Sequence, residues 1–217
     1  CQYSKGNHNN TIGMPMTLMS FNPDCELTVL EMGSNSPGEI TFLCEIAHPT
    51  MGLITNINES HIEFFNTIEN ISIEKSALFH SLPEAGTAYV NLDDPYISTM
   101  DIKGEKITYS FNSNADFKGI IDNSDISSNL IINGTKIKLS TGNETMAQNI
   151  IAAFSIANHL GVSEKEIVNA IETFKVPPGR GEIFNLEDYI IIDDTYNASP
   201  SSAKAGIKLL SKYNSKN

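Results

Sequence analysis

Tryptophan is absent from this 217-residue chain, and basic side chains are scarce: 14 Lys and Arg face 26 Asp and Glu, for a formal net charge of −12. So few cations argue against nucleic-acid binding, because affinity for a phosphate backbone comes from clustered Lys and Arg that displace counterions. Long apolar runs are missing too. None approaches the ~20 residues of a membrane span, and the amino-terminal Cys1-Gln-Tyr-Ser-Lys-Gly-Asn-His8 is polar where a signal peptide would be apolar. Only three cysteines occur, Cys1, Cys25 and Cys44, far apart and without a CxxC pair. That excludes a disulfide framework and fits a reducing compartment, so the expected location is the cytoplasm, away from membranes. A phosphate-binding loop is lacking as well: neither GxxxxGK[ST] nor GxGxxG is present, so the chain alone carries no recognised cradle for nucleotide phosphates.

What is present is a composition, 40% hydrophobic, that can bury a core without staples. Leu27–Glu31, Leu53–Ile57, Thr87–Asn91 and Tyr189–Asp193 are short apolar, often β-branched runs of the kind a parallel sheet buries on both faces. Helices are expected from Ile68 to Leu82, with an apolar stripe at Ile71, Leu78 and Leu82, and from about Thr145 to His159, ending at Gly161. Ser163 with Glu166 reads as a capping box, and Ser199-Pro200 as an N-cap followed by proline at the first helical position. From Lys103 to Ser140 the texture changes to Asn, Ser and Gly turns with alternating segments, and Asn133-Gly134 signals a hairpin. The expected fold class is α/β: a mostly parallel central sheet flanked by helices, with a small antiparallel β insertion.

Ligands of open parallel sheets bind beyond the carboxyl ends of the strands, which directs attention to Glu31, to Ser60-His61 and to Asp193-Asp194-Thr-Tyr-Asn197. Lys75 falls four residues after Ile71 and three before Leu78, on the apolar stripe of its helix. Either its stem snorkels at the stripe's edge, or it is an amine of lowered pKa able to react, for example with carbon dioxide to form a carbamate. Asn149 shares a helix face with Ala153, Ile156 and Leu160, expected to be the buried one, and is either a cap or an amide that reads a base edge. The rigid Pro177-Pro178-Gly179-Arg180-Gly181 loop offers an arginine either to phosphate oxygens or to solvent.

Six segments together carry a resemblance. Asn7-His-Asn-Asn10-Thr-Ile-Gly-Met-Pro-Met-Thr-Leu18, Glu31-Met-Gly-Ser-Asn-Ser-Pro-Gly-Glu-Ile40, Ile54-Thr-Asn-Ile-Asn-Glu-Ser-His61-Ile-Glu-Phe-Phe65, Asn91-Leu-Asp-Asp-Pro95, Pro178-Gly-Arg180 and Asp193-Asp-Thr-Tyr-Asn-Ala-Ser-Pro200 resemble, in order, the ATP-dependent Mur ligases. The wording Glu-x-Gly followed by Gly-Glu-Ile is similar to the branch that joins D-alanyl-D-alanine to UDP-N-acetylmuramoyl-tripeptide. The resemblance implies that residues 1–217 are the P-loop NTPase-like central ATPase domain. The P-loop is then expected before Cys1 and the carboxy-terminal domain after Asn217, and the chain alone is not expected to ligate. It further implies ATP and Mg2+ as cofactors, those two substrates as partners, and a monomer.

By the same resemblance Glu31 and His61 match metal-coordinating residues, and Lys75 matches a lysine that becomes carbamylated and places a second magnesium. Asn149 matches an adenine-side asparagine. Arg180 and Asp194 match residues holding phosphates and ribose, while Asn9, Asn10, Tyr196 and Asn197 fall in substrate-facing segments. Two differences are visible: Asn66 follows Phe65 where the family usually has glycine, and Ile71-Ser-Ile-Glu-Lys-Ser-Ala-Leu78 lacks its common Lys-Gly-Glu wording. A sister amide ligase of the folylpolyglutamate synthase type and a non-catalytic binding module of the same fold are the alternatives.

Overall fold

The computed structural model describes residues 1–59, 62–122, 129–139, 144–187, 189–197 and 199–211. Two compact units divide the chain, Cys1–Val90 with Asp94–Ile107, and Asn91–Asp93 with Thr108–Asn217.

In chain order the first unit carries β1 (Gln2–Tyr3), α1 (Gly13–Met19), β2 (Thr28–Val29), α2 (Glu39–Ala47), β3 (Met51–Leu53), α3 (Ile62–Phe65), α4 (Ile68–His80) and β4 (Thr87–Asn91), and leads into β5 (Glu105–Ser110). Strands β1 and β2 form a parallel pair, Gln2 opposite Thr28, and β3 runs parallel to β4 with Met51 opposite Thr87. Every residue of β4 is buried, as its Ala, Tyr and Val content requires of a strand covered on both faces. The core gathers Met14 from α1 and Ile40, Leu43 and Cys44 from α2, with Ala77 and Leu78 of α4 packed against them.

Two expected strands change. Leu53–Ile57 is not a strand; the ladder runs Met51–Leu53, and Ile54 and Ile57 are buried in the loop beyond it. Apolar character there marks burial, not pairing. Leu27–Glu31 contracts to β2, whose two residues are both exposed. Helix α4 begins after Thr67, whose side chain accepts from Asn70 N, and ends at His80, short of the expected Leu82; Ile71 of the expected stripe is buried, but Phe79 is buried where Leu78 stays half-buried.

Asn66, at the point where glycine is usual, has φ +65°, and its N–H donates to Ile62 O at 2.7 Å to close α3. Asparagine is one of the few residues that accept this left-handed conformation. Asn66→Ala is expected to cost about 1 kcal/mol in urea unfolding, and Asn66→Gly much less.

The second unit continues with β6 (Phe117–Asp122), β7 (Asn129–Ile132), β8 (Thr135–Lys138), α5 (Glu144–His159), α6 (Glu164–Glu172), β9 (Glu182–Asn185), β10 (Ile190–Asp193) and α7 (Pro200–Leu210). Strands β3 to β8 follow one another in hydrogen-bonded order. The β5–β6 step is parallel and β6–β7–β8 is an antiparallel meander, the insertion expected between Lys103 and Ser140; Ser140 itself lies outside the described residues. Asn133 (φ +48°) and Gly134 (φ +94°) make the tight β7–β8 turn, since successive left-handed residues match strand twist. The expected capping box of Ser163 with Glu166 forms, and Ser199 caps α7 with Pro200 at its first position, there too in a capping box, with Ser202.

Strand β10, expected in the parallel sheet, instead pairs antiparallel with β9, and its Ile190 and Ile191 remain 43% and 48% exposed. The face of α5 is also corrected. Ala147, Ile151, Ala152 and Phe154 are buried, and Phe154 meets Phe117 edge-on at 6.1 Å, whereas Asn149, Ala153 and Leu160 are exposed. Both sets satisfy a helical period, and the packing of Phe154 against Phe117 accompanies the inward turn of the first. No helix among the described residues is long and apolar enough to cross a membrane.

Candidate functional site

In the first unit the segment after β2 is built around Glu31. Its exposed carboxylate accepts from Asn9 Nδ2 at 2.8 Å, and its own N–H donates to Ser4 Oγ at 3.0 Å. Gly33 N donates to Asn9 O at 2.8 Å, and a Cβ on Gly33 would lie 3.0 Å from Asn9 Nδ2. A larger residue at 33 would press on the Asn9 amide, the group that bonds the Glu31 carboxylate. Asn10 is engaged locally instead: its Oδ1 accepts from Ile12 N at 3.1 Å and Gly13 N at 2.8 Å, ordering the entry to α1.

The Gly-Glu-Ile wording also gains a physical cause. Glu39 Oε2 accepts from Asn35 N at 2.6 Å and Ser36 N at 3.2 Å, closing the loop in front of α2. From α4, Glu74 reaches the same loop. Sequence reasoning did not single out Glu74, although its spacing gave the signal: it lies three residues after Ile71 and four before Leu78, on the same stripe as Lys75.

Lys75 is half-buried, and Nζ donates to Asn56 O at 2.9 Å. Burial lowers its pKa, and the nearby Asp94 carboxylate pulls it partly back. Asp94 is 8% exposed and accepts from Ile57 N at 2.7 Å, Tyr96 N at 3.0 Å and Ile97 N at 3.1 Å, so it pins the loop that Lys75 touches. His61 lies outside the described residues. Among the described residues no three His, Cys, Asp or Glu side chains gather as a ready metal cluster. Glu31 nonetheless offers an exposed carboxylate of the kind a hard, oxygen-preferring cation takes, whereas Lys75 stands here as an amine bonded to Asn56 O.

In the second unit the Pro177–Gly181 loop is tied down by Arg180 N to Pro177 O at 3.2 Å, Gly181 N to Asp193 O at 2.8 Å and Tyr196 N to Gly179 O at 3.0 Å. These bonds bring Arg180 and Tyr196 together. The guanidinium carbon lies 3.9 Å from the ring centroid of Tyr196, a cation–π contact that fixes the plane of the fork while both side chains stay exposed. Sequence reasoning assigned these two residues to different ligands and did not foresee the stack. Asp194 and Asn197 are exposed beside the pair in sequence, and Asn149 is exposed on α5.

Residues 1–163 match the Mur ligase middle domain. The UDP-N-acetylmuramoyl-tripeptide–D-alanyl-D-alanine ligase of Synechocystis sp. is 31% identical over 211 residues, 95% of this chain and 45% of that protein. MurF from Acinetobacter baumannii superposes with a TM-score of 0.89 at 28% identity, covering 98% of this chain and 48% of that one. MurF ligase from Thermotoga maritima, solved in complex with ADP, gives a TM-score of 0.88 at 27% identity, with coverages of 99% and 51%. The chain spans about half the length of the relatives it matches.

Proposed function

The chain belongs to the Mur ligase family, and on that premise we propose that it is the central ATPase domain of a ligase joining D-alanyl-D-alanine to UDP-N-acetylmuramoyl-tripeptide. The likeness to a ligase of that name over 95% of the chain carries this reading. The nucleotide in the Thermotoga maritima complex supports ATP as the energy source. In this reading ATP phosphorylates the terminal carboxylate of the tripeptide, the amine of the dipeptide attacks the acyl phosphate, and phosphate leaves.

Each residue has a role in the proposal. Glu31, His61 and Lys75 as its carbamate would hold Mg2+, which supplies charge neutralisation at the transferring phosphoryl group. Asn9 fixes the Glu31 carboxylate. The planar fork of Arg180, braced by Tyr196, takes phosphate oxygens; Asp194 takes the ribose and Asn149 the adenine, its exposed amide offering both donor and acceptor. Asn10 and Asn197 belong to the substrate-facing segments. A net charge of −12 does not oppose anionic substrates, because local cations set the field at a site.

The test is phosphate release from ATP by the protein containing this sequence, given UDP-N-acetylmuramoyl-tripeptide and a panel of amines. D-alanyl-D-alanine is expected to be the preferred acceptor. Preference for glutamate on a folate acceptor would indicate a sister amide ligase, and absence of turnover with every amine a binding module.

A further inference from the structure

Glu74 is a buried carboxylate with no part in the chemistry above. It is 7% exposed and saturated by three donors: Ser34 Oγ at 2.9 Å and Ile40 N at 2.8 Å on Oε1, and Gly38 N at 2.6 Å on Oε2. All three belong to the stretch that begins three residues after Glu31 and runs into α2. A carboxylate costs several kcal/mol to desolvate, and an apolar side chain at this point of the stripe would fill the same space without that cost. What the carboxylate provides is directional grip on main-chain N–H groups.

Glu74 and Lys75 are consecutive on α4 and point about 100° apart around its axis. One rigid element therefore carries both the grip on the loop after Glu31 and the amine against Asn56 O. We propose that Glu74 is a positioning residue: by tying Ser34, Gly38 and Ile40 to α4, it fixes where Glu31 lies relative to Lys75. This inference rests on the ligase reading in so far as Glu31 and Lys75 are taken as the metal-holding pair.

Two variants test it. Glu74→Gln keeps the oxygen facing Ser34 and Ile40 but turns an amide donor towards Gly38 N–H; Ser34→Ala removes one bond and leaves the carboxylate in place. In the metal-free protein, amide exchange at Gly38 is expected to quicken roughly tenfold in Glu74→Gln and less at Ile40, with a smaller change in Ser34→Ala. In ligation assays the Mg2+ concentration for half-maximal rate is expected to rise about tenfold in Glu74→Gln and a few-fold in Ser34→Ala, with KM for the amine acceptor unchanged. Faster exchange at Gly38 with an unaltered Mg2+ requirement makes Glu74 a mere helix cap and overturns the proposal, as does unaltered exchange. Full activity of Lys75→Met would instead remove the metal-holding pair on which this inference rests, and would leave the ligase reading itself standing.

Discussion

Lys75→Met is expected to lower the ligation rate on the order of 10³-fold, a loss of about 4 kcal/mol of transition-state stabilisation from an interaction with a metal ion, while the protein stays folded. The two effects separate because of the environment of the amine. Burial lowers the pKa of Lys75, so the folded state disfavours its charged form. A lysine whose folded pKa lies below its unfolded one destabilises the fold at pH values below the folded pKa, and that cost disappears as pH rises through the unfolded pKa. Methionine of similar length removes this cost and loses only the bond to Asn56 O, so thermal unfolding at neutral pH should move little. Single-turnover phosphate release and a melting curve on the same sample check both halves. An inactive variant with an unchanged melting temperature places the lysine in the chemistry; an active one removes it.

Asp94→Ala is expected to cost about 3 kcal/mol of stability, because it leaves Ile57, Tyr96 and Ile97 N–H groups without their acceptor in a buried turn. For a protein of this size that corresponds to a fall in melting temperature of roughly 6–12 °C. Asp94→Asn keeps the oxygen that caps the 3-10 turn Ile97–Thr99 but sets an amide donor against Ile57 N, and about half of the loss should remain. The alanine variant also removes the charge that raises the Lys75 pKa, so that pKa falls further. Calorimetric scans of the two variants beside the parent measure the difference.

The elements legible from the chain are those whose signals are local. Asn133-Gly134 makes its turn because two adjacent residues both tolerate positive φ; Ser163 with Glu166, and Ser199 with Pro200, make their caps within four residues. The five residues of β4 declare burial on both faces. What was not legible depends on partners distant in sequence. Nothing in Ile190–Asp193 says that its neighbour is β9 and antiparallel. The two candidate faces of α5 have equal periodicity, and only packing against Phe117 selects Phe154 over Asn149. At the site, the unusual position of Lys75 could be seen, but its role came from resemblance to ligases and not from spacing. Glu74 carried the same spacing signal, and its three donors in the 34–40 loop become visible only when that loop is folded over α4.

The β7–β8 turn bears on the chemical lifetime of the protein. An exposed Asn–Gly linkage is the usual place where a chain ages, because the glycine N–H can attack the neighbouring amide carbon and close a succinimide. Here Asn133 Oδ1 accepts from Lys118 N at 2.8 Å, and Nδ2 donates to Asp116 O at 2.8 Å. The amide cannot swing towards Gly134 without releasing both. The bonds that seat the turn against β6 therefore also guard its most labile linkage for as long as the meander stays folded.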